Sequence, residues 1–287
     1  MKPLGTSTGL FTLAVLAAGP ASAQPLLITE ILTDPPGFDA FLEYIEITGT
    51  PGQTLDDVFL IQIENENNVN GDGTQGSIDL GFDLSGVQLG SNGGLVLAAG
   101  NTGTTAHAFD PAATLVQGTT NGGGFGGIPG FFGGGIFNAT ENSGGTFALI
   151  DTNGGAAPTA EQDLDTDDDG TLDLPGGWEI VDAIGFTGEN ENEFGGLYGF
   201  TNFLAGSSDT GELVTIPAGP EFDVDPETVT LTGFEIEYVG RLGDGGDWFA
   251  ANVTDGPNAS PSNPNFTEES VDIPIEGARF VISAADT

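Results

Sequence analysis

The sequence predicts an all-β protein, an antiparallel β-sandwich with long loop insertions. Short apolar runs of strand length recur along the chain, and Gly, Asn, Asp and Pro bound them. No segment keeps the 3.6-residue apolar period of an amphipathic helix. The 48 glycines and 17 prolines suit many turns between short strands, and the 20 phenylalanines can build a core.

The predicted strands are rich in β-branched and aromatic residues, which favour extended backbone. They cover residues 26–32, 42–47, 58–63, 95–98, 147–150, 179–186, 213–216, 229–231, 234–239 and 279–282. A turn at residues 34–37 (DPPG) must end the first strand, because neither proline has a backbone donor. We expect this turn at the surface.

The first 23 residues are those of a secretory signal peptide. Lys2 precedes a short apolar run, and the small residues Ala21-Ser22-Ala23 form a cleavage site before Gln24. The apolar run is shorter than the roughly 20 residues that a membrane helix needs. We therefore expect a chain cleaved between Ala23 and Gln24, without a membrane span, and located outside the cytoplasm as a secreted, periplasmic or cell-surface protein.

The predicted mature chain is strongly acidic and contains no cysteine. Arg241 and Arg279 are its only Lys or Arg residues, against 43 Asp and Glu. Such a surface repels nucleic acid and anionic lipid and attracts divalent cations. The acidity can equally reflect adaptation to a saline medium. Because no disulfide can form, stability must come from a hydrophobic core, with or without bound metal.

Six motifs in a fixed order resemble the bacterial lamin-tail domain family. The first is LITEILTDPPGFDAFLEYIEI, which begins at Leu27 and has the family's strand, DPP turn and E(Y/F)IE strand. Further similar motifs are LDDVFL at 55–60, GGLVLA at 93–98, NSGGTFALID at 142–151, IVDAIGF at 180–186, and RLGDG at 241–245 with Trp248 and the GPNASP segment at 256–261. The resemblance spans about residues 26–266.

The resemblance implies an immunoglobulin-like sandwich and a noncatalytic module of exported proteins. The predicted domain is therefore residues 24–266, an enlarged lamin-tail-like sandwich whose loops are longer than usual in the family. Residues 267–287 form either a C-terminal tail or a terminal strand. Trp248 is expected to be buried between the sheets. Arg241 is expected to pair with Asp244, Asp247 or a carboxylate on a strand.

An acidic loop at residues 163–177 contains the best local motif, DTDDDGTLD at 165–173. Calcium loops place oxygen ligands at positions 1, 3, 5, 7 and 9 with Gly at position 6. The predicted metal ligands are accordingly Asp165, Asp167, Asp169, Thr171 and Asp173. Glu179 or Asp163 could complete the set, since position 12 is Gly176 rather than Glu. The alternative is a solvated acidic turn without an ion.

The stretch at residues 121–137, NGGGFGGIPGFFGGGIF, is rich in Gly and Phe. We expect a loop folded back on the sandwich, with its Phe side chains closing an edge of the core. The alternative is an exposed apolar patch.

The sequence contains no recognisable catalytic constellation. His107 is the only histidine, and no Gly-x-Ser-x-Gly motif accompanies it. We expect a noncatalytic binding or surface-architecture module with a structural Ca²⁺ ion, whose partners are divalent cations and an extracellular protein or glycan. Two alternatives remain: an acidic matrix or mineral-contacting protein, and a hydrolase with its site in the loops between residues 100 and 230.

Overall fold

The computed structural model describes most of the sandwich and parts of its loops. The described residues are 23–33, 42–65, 74–100, 109–119, 124–133, 139–140, 144–187, 196–205, 227–231, 236–241, 248–255 and 266–270. They form fourteen strands in two seven-stranded sheets, and none of them is helical. The predicted all-β sandwich is confirmed.

The first sheet, called here the front sheet, contains the two ends of the described chain. Its spatial order is β14-β13-β12-β1-β2-β5-β6. These strands are β14 Phe266–Ser270, β13 Trp248–Asp255, β12 Tyr238–Arg241, β1 Leu27–Leu32, β2 Tyr44–Thr48, β5 Gly94–Ala98 and β6 Thr114–Gln117.

The second sheet, the back sheet, has the order β11-β10-β9-β8-β3-β4-β7. Its strands are β11 Glu227–Leu231, β10 Thr201–Ala205, β9 Glu179–Thr187, β8 Gly144–Asp151, β3 Val58–Ile63, β4 Ile78–Asp83 and β7 Phe131–Gly133.

The sheets are mixed, so the predicted antiparallel pairing does not extend to every pair of strands. The pairs β5–β6, β9–β10 and β10–β11 are parallel. Parallel neighbours need a long connection, because the chain must return to the end of the sheet where it began. The chain between the paired strands supplies that length, for example residues 99–113 between β5 and β6. The immunoglobulin-like assignment stays a prediction.

The main core lies between the two sheets. Ile31 and Ile45 of the front sheet share one buried cluster with Leu60, Phe147 and Phe186 of the back sheet. Trp248 belongs to the same cluster and is only 6% exposed, so its predicted burial is confirmed. Burial of this apolar area drives the association of the sheets.

The central strand β3 of the back sheet is buried on both faces. All six residues of β3 are buried, whereas a strand with one solvated face would alternate apolar and polar residues. The outward-facing Phe59, Ile61 and Ile63 form a second cluster with Leu164 and Trp178. These last two side chains belong to the long β8–β9 connection, which therefore covers the outer face of the back sheet.

The Gly- and Phe-rich stretch closes one side of the sandwich, as predicted. Among its described residues, 124–133, Phe125 is fully buried and Ile128 is 5% exposed in the main core. The Phe125 ring meets the Phe82 ring edge-on at 5.3 Å. Backbone bonds from Gly100 and Thr119 to this stretch anchor it beside β6.

A buried ion pair joins the two sheets where β1 is irregular. A bulge interrupts β1 between Ile28 and Glu30, and the pairing of β1 with β12 begins only at Glu30. Beyond this point Asp182 of β9 accepts a hydrogen bond from the Ile28 N–H at 2.8 Å. Arg241, the last residue of β12, donates through Nε to the Ile28 carbonyl at 2.9 Å. The two side chains thus bind the backbone of β1 just beyond its described pairing with β12.

Arg241 also binds Asp182 directly. Its Nη2 lies 2.7 Å and 2.9 Å from the two carboxylate oxygens, and the Trp248 ring lies under the guanidinium at 4.4 Å. Burial raises the pKa of Asp182, and the positive charge of Arg241 opposes that rise. Of the three predicted partners for Arg241, the strand carboxylate is therefore confirmed.

Several predicted features lie outside the described residues. They are residues 1–22 of the signal peptide, the DPPG turn at 34–37, His107, and the predicted strands at 213–216 and 279–282. The segment after Phe266 begins as β14, which pairs antiparallel with β13. Residues 271–287 also lie outside the described chain.

We predict that Arg241→Ala lowers the free energy of unfolding by about 3–5 kcal/mol, because it leaves the Asp182 carboxylate buried without its counter-charge. Arg241→Lys should lose less, since the charge remains while the planar donor geometry is lost. Urea denaturation at neutral pH measures both. Asp56→Ala, at an exposed position, is the control. A loss no larger than that of the control would contradict a structural role for the pair.

Candidate metal site

The acidic loop is held against the start of β4. Ser77 and Asp163 form an isolated antiparallel bridge, and Leu164 donates its N–H to the Gly76 carbonyl at 3.0 Å. Gly76 has a φ of 77°, and a Cβ there would lie 2.4 Å from the Cβ of Asp165. Glycine is therefore required at position 76 for the loop to approach the sheet this closely.

Asp165 is a fully buried carboxylate with four donors. Its Oδ1 accepts from the Asp169 N–H at 3.1 Å, and its Oδ2 accepts from the Gly170 N–H at 3.0 Å. Oδ2 also accepts from Gln75 Nε2 at 3.0 Å and from the Tyr198 hydroxyl at 2.7 Å. Hydrogen bonds from several donors make a buried carboxylate tolerable. Asp165 is therefore fixed in position by its own loop and by two distant segments.

Three of the predicted ligands converge. Carboxylate oxygens of Asp165, Asp167 and Asp169 all lie within 4.8 Å of one another, with Asp165 buried and the other two exposed. The backbone turns sharply between Asp167 and Asp169, where Asp168 has a φ of 53°, and again just after Asp169, where Gly170 has a φ of 85°. This is the only such group of potential metal ligands in the described part of the chain.

The other two predicted ligands are held within the loop. Thr171 donates its N–H to Asp169 Oδ1 at 2.8 Å. Asp173 Oδ2 accepts from both the N–H and the hydroxyl of Thr166. Of the two residues considered as completing ligands, Asp163 accepts the Asp165 N–H at 3.0 Å, and Glu179 is an exposed residue at the start of β9. Neither belongs to the converging group.

The convergence creates electrostatic repulsion. The pKa of the Asp167 carboxyl is raised above its ordinary value, first by the negative charge of Asp169 and then by loss of water and by Asp173 and Asp165. The Tyr198 hydroxyl has its pKa raised by burial and by its bond to Asp165, so it stays a proton donor. A hard divalent cation between the carboxylates would remove this repulsion, and Ca²⁺ prefers oxygen ligands of this kind.

Sequence reasoning did not find Gln75 and Tyr198. They lie 90 and 33 positions from Asp165 in the sequence, and no local pattern marks either as a partner of the loop. They lie in connections between strands, and the tertiary fold brings them beside Asp165.

The described residues contain no helix that is long and apolar enough to cross a membrane. Comparisons of the chain with protein-family models, with curated proteins and with solved structures found no match. The resemblance to the lamin-tail domain family therefore rests on the sequence motifs alone and stays a prediction.

We predict that Asp167→Asn raises the melting temperature when divalent ions are chelated. The folded pKa of Asp167 is raised, so the folded state binds its proton more tightly than the unfolded state does. The negative charge of Asp167 therefore does not destabilise the folded state at a pH below the ordinary carboxyl pKa. The destabilisation develops as the pH rises through the raised pKa of the folded state. Thermal melts in a chelator at neutral pH measure the gain, which should vanish under acidic conditions. A lower melting temperature of the variant at neutral pH would contradict the repulsion.

Proposed function

We propose that this protein is an exported, noncatalytic β-sandwich module whose acidic loop binds a structural Ca²⁺ ion. The observation that carries the proposal is the convergence of Asp167 and Asp169 on the carboxylate of Asp165, which is already buried and held in place. Ca²⁺ takes six to eight oxygen ligands. Asp173, the Thr171 carbonyl and water are the candidates to complete its coordination.

The preformed position of Asp165 explains how the site would work. Its four donors orient one ligand before any ion arrives, so binding needs to order only the exposed side chains of Asp167 and Asp169. Such preorganisation reduces the entropic cost of binding. The bound ion would in turn hold the insertion to Gln75 and Tyr198, and so to the outer face of the back sheet.

The proposed role as a binding or surface module is supported by the charge distribution. Arg241 is the only Lys or Arg in the described part of the chain, and it is engaged with the Asp182 carboxylate between the sheets. The remaining described charges are acidic, which favours divalent cations and disfavours nucleic acid as ligands. An extracellular protein or a glycan is the proposed partner of the module.

We expect calcium to raise the melting temperature more than sodium chloride of the same ionic strength. Binding to the folded state alone stabilises by about 2.7 kcal/mol when the ion is a hundredfold above its Kd. The double variant Asp167→Asn and Asp169→Asn should abolish the difference between the two salts. The double variant Asp56→Asn and Asp168→Asn removes the same amount of charge outside the converging group. In this control the difference between the two salts should remain. Equal shifts from both salts in the unmodified protein would instead indicate an acidic polyanion.

The noncatalytic proposal predicts that the purified protein does not hydrolyse esters, peptides, glycosides or phosphodiesters above the buffer blank. His107→Ala should leave every one of these assays unchanged, because no nucleophile is proposed to depend on it. Reproducible turnover that this substitution abolishes would establish the hydrolase alternative and contradict the proposal.

A further inference from the structure

The described chain begins with three exposed residues that lead directly into the core. Ala23, Gln24 and Pro25 are exposed, whereas Leu26 is 9% exposed and belongs to the main core. The predicted cleavage site between Ala23 and Gln24 therefore lies outside the packed part of the sandwich. Cleavage there would leave every buried residue of β1 in place and would make Gln24 the new N-terminus.

Thr50, which follows β2, holds the backbone of Gln24. The Gln24 N–H donates to the Thr50 hydroxyl oxygen at 2.8 Å, and the same hydroxyl faces the Gln24 carbonyl at 3.4 Å. Both contacts use backbone atoms of Gln24. The side chain is therefore not needed to hold the terminus, and it extends from an exposed residue.

We propose that Gln24 is a modification site, at which the new terminus cyclises to pyroglutamate; this rests on the proposed export and cleavage. The terminal amine, in its neutral form, attacks the side-chain amide carbon Cδ. The bond from Cδ to the side-chain nitrogen breaks, and the nitrogen leaves as ammonia with a proton from the attacking amine. A five-membered lactam results, and no oxidant or other reactant is consumed.

The product fits the observed contacts of the terminus. A lactam retains one N–H, which can donate to the Thr50 hydroxyl as the peptide N–H does now. The cyclisation also removes the positive charge of the terminal amine. It leaves Arg241 and Arg279 as the only cations among 43 acidic residues. A terminus without a free amine is not a substrate for ordinary aminopeptidases, so the strand that enters the core is protected from trimming.

Two preparations test the proposal. In the first, the whole chain is exported from a bacterial host and its N-terminal peptide is analysed by mass spectrometry. In the second, a protease tag replaces residues 1–23 and is cut to release Gln24 in vitro. In both, the expected peptide starts at residue 24, is lighter by one ammonia and does not react with amine reagents. Gln24→Glu, whose side chain is nearly isosteric but lacks the amide leaving group, should keep a reactive amine.

The two preparations separate the two claims. A different first residue in the exported protein would contradict the proposed cleavage, and the in vitro preparation would still decide the cyclisation. A Gln24 terminus that keeps its free amine in both preparations after prolonged incubation would overturn the modification.

Discussion

The contact between Asp182 and Arg241 is the constraint on which the sandwich depends. β1 lies in the middle of the front sheet, and among the described residues its pairing with β12 covers only Glu30 to Leu32. The two side chains bind the N–H and the carbonyl of Ile28, and a buried backbone group left without a partner costs free energy comparable to a lost hydrogen bond. The pair satisfies both groups and also links β9 of one sheet to β12 of the other. No second Lys or Arg in the described part of the chain could replace Arg241.

The position of the acidic loop follows from the way the back sheet is covered. The β8–β9 connection packs Leu164 and Trp178 against the outer face of the sheet, and Asp165 comes directly after Leu164. Apolar burial thus brings a carboxylate into a place that water cannot reach. The donors of Gln75 and Tyr198 make this position tolerable. The same anchoring leaves Asp167 and Asp169 at the surface, where they repel one another and can share a cation.

The sequence predicted those strands in which apolar and β-branched residues dominate. The prediction for residues 58–63 matches β3 Val58–Ile63, because five of its six residues are apolar and favour burial in extended backbone. β4 was missed because Asp79 and Gly81 interrupt its pattern. Glycine is required at position 81, because a Cβ there would lie 2.4 Å from the Phe132 ring. Residue type also does not encode strand direction, which explains why the three parallel pairs were not foreseen.

In the candidate site, the sequence marked the local pattern of carboxylates but not the distant groups that bind them. A loop with alternating carboxylates is a local pattern, and carboxylate oxygens of Asp165, Asp167 and Asp169 do lie within 4.8 Å of one another. Their role as metal ligands stays a prediction. The donors that fix Asp165 come from segments far away in sequence, so their roles depend on the tertiary fold. The same holds for Asp182, whose partner Arg241 is 59 positions away.

A calorimetric titration of the purified protein with calcium, in a background of sodium chloride, shows whether the acidic loop binds a single ion. We expect one saturable site for each chain, with a Kd on the order of 0.1–1 mM, the range of extracellular Ca²⁺-binding modules. We also expect the site to be lost when Asp167 and Asp169 are both changed to Asn. Many weak sites that this double variant leaves unchanged would show that calcium neutralises the acidic surface as a whole and that the loop holds no specific ion.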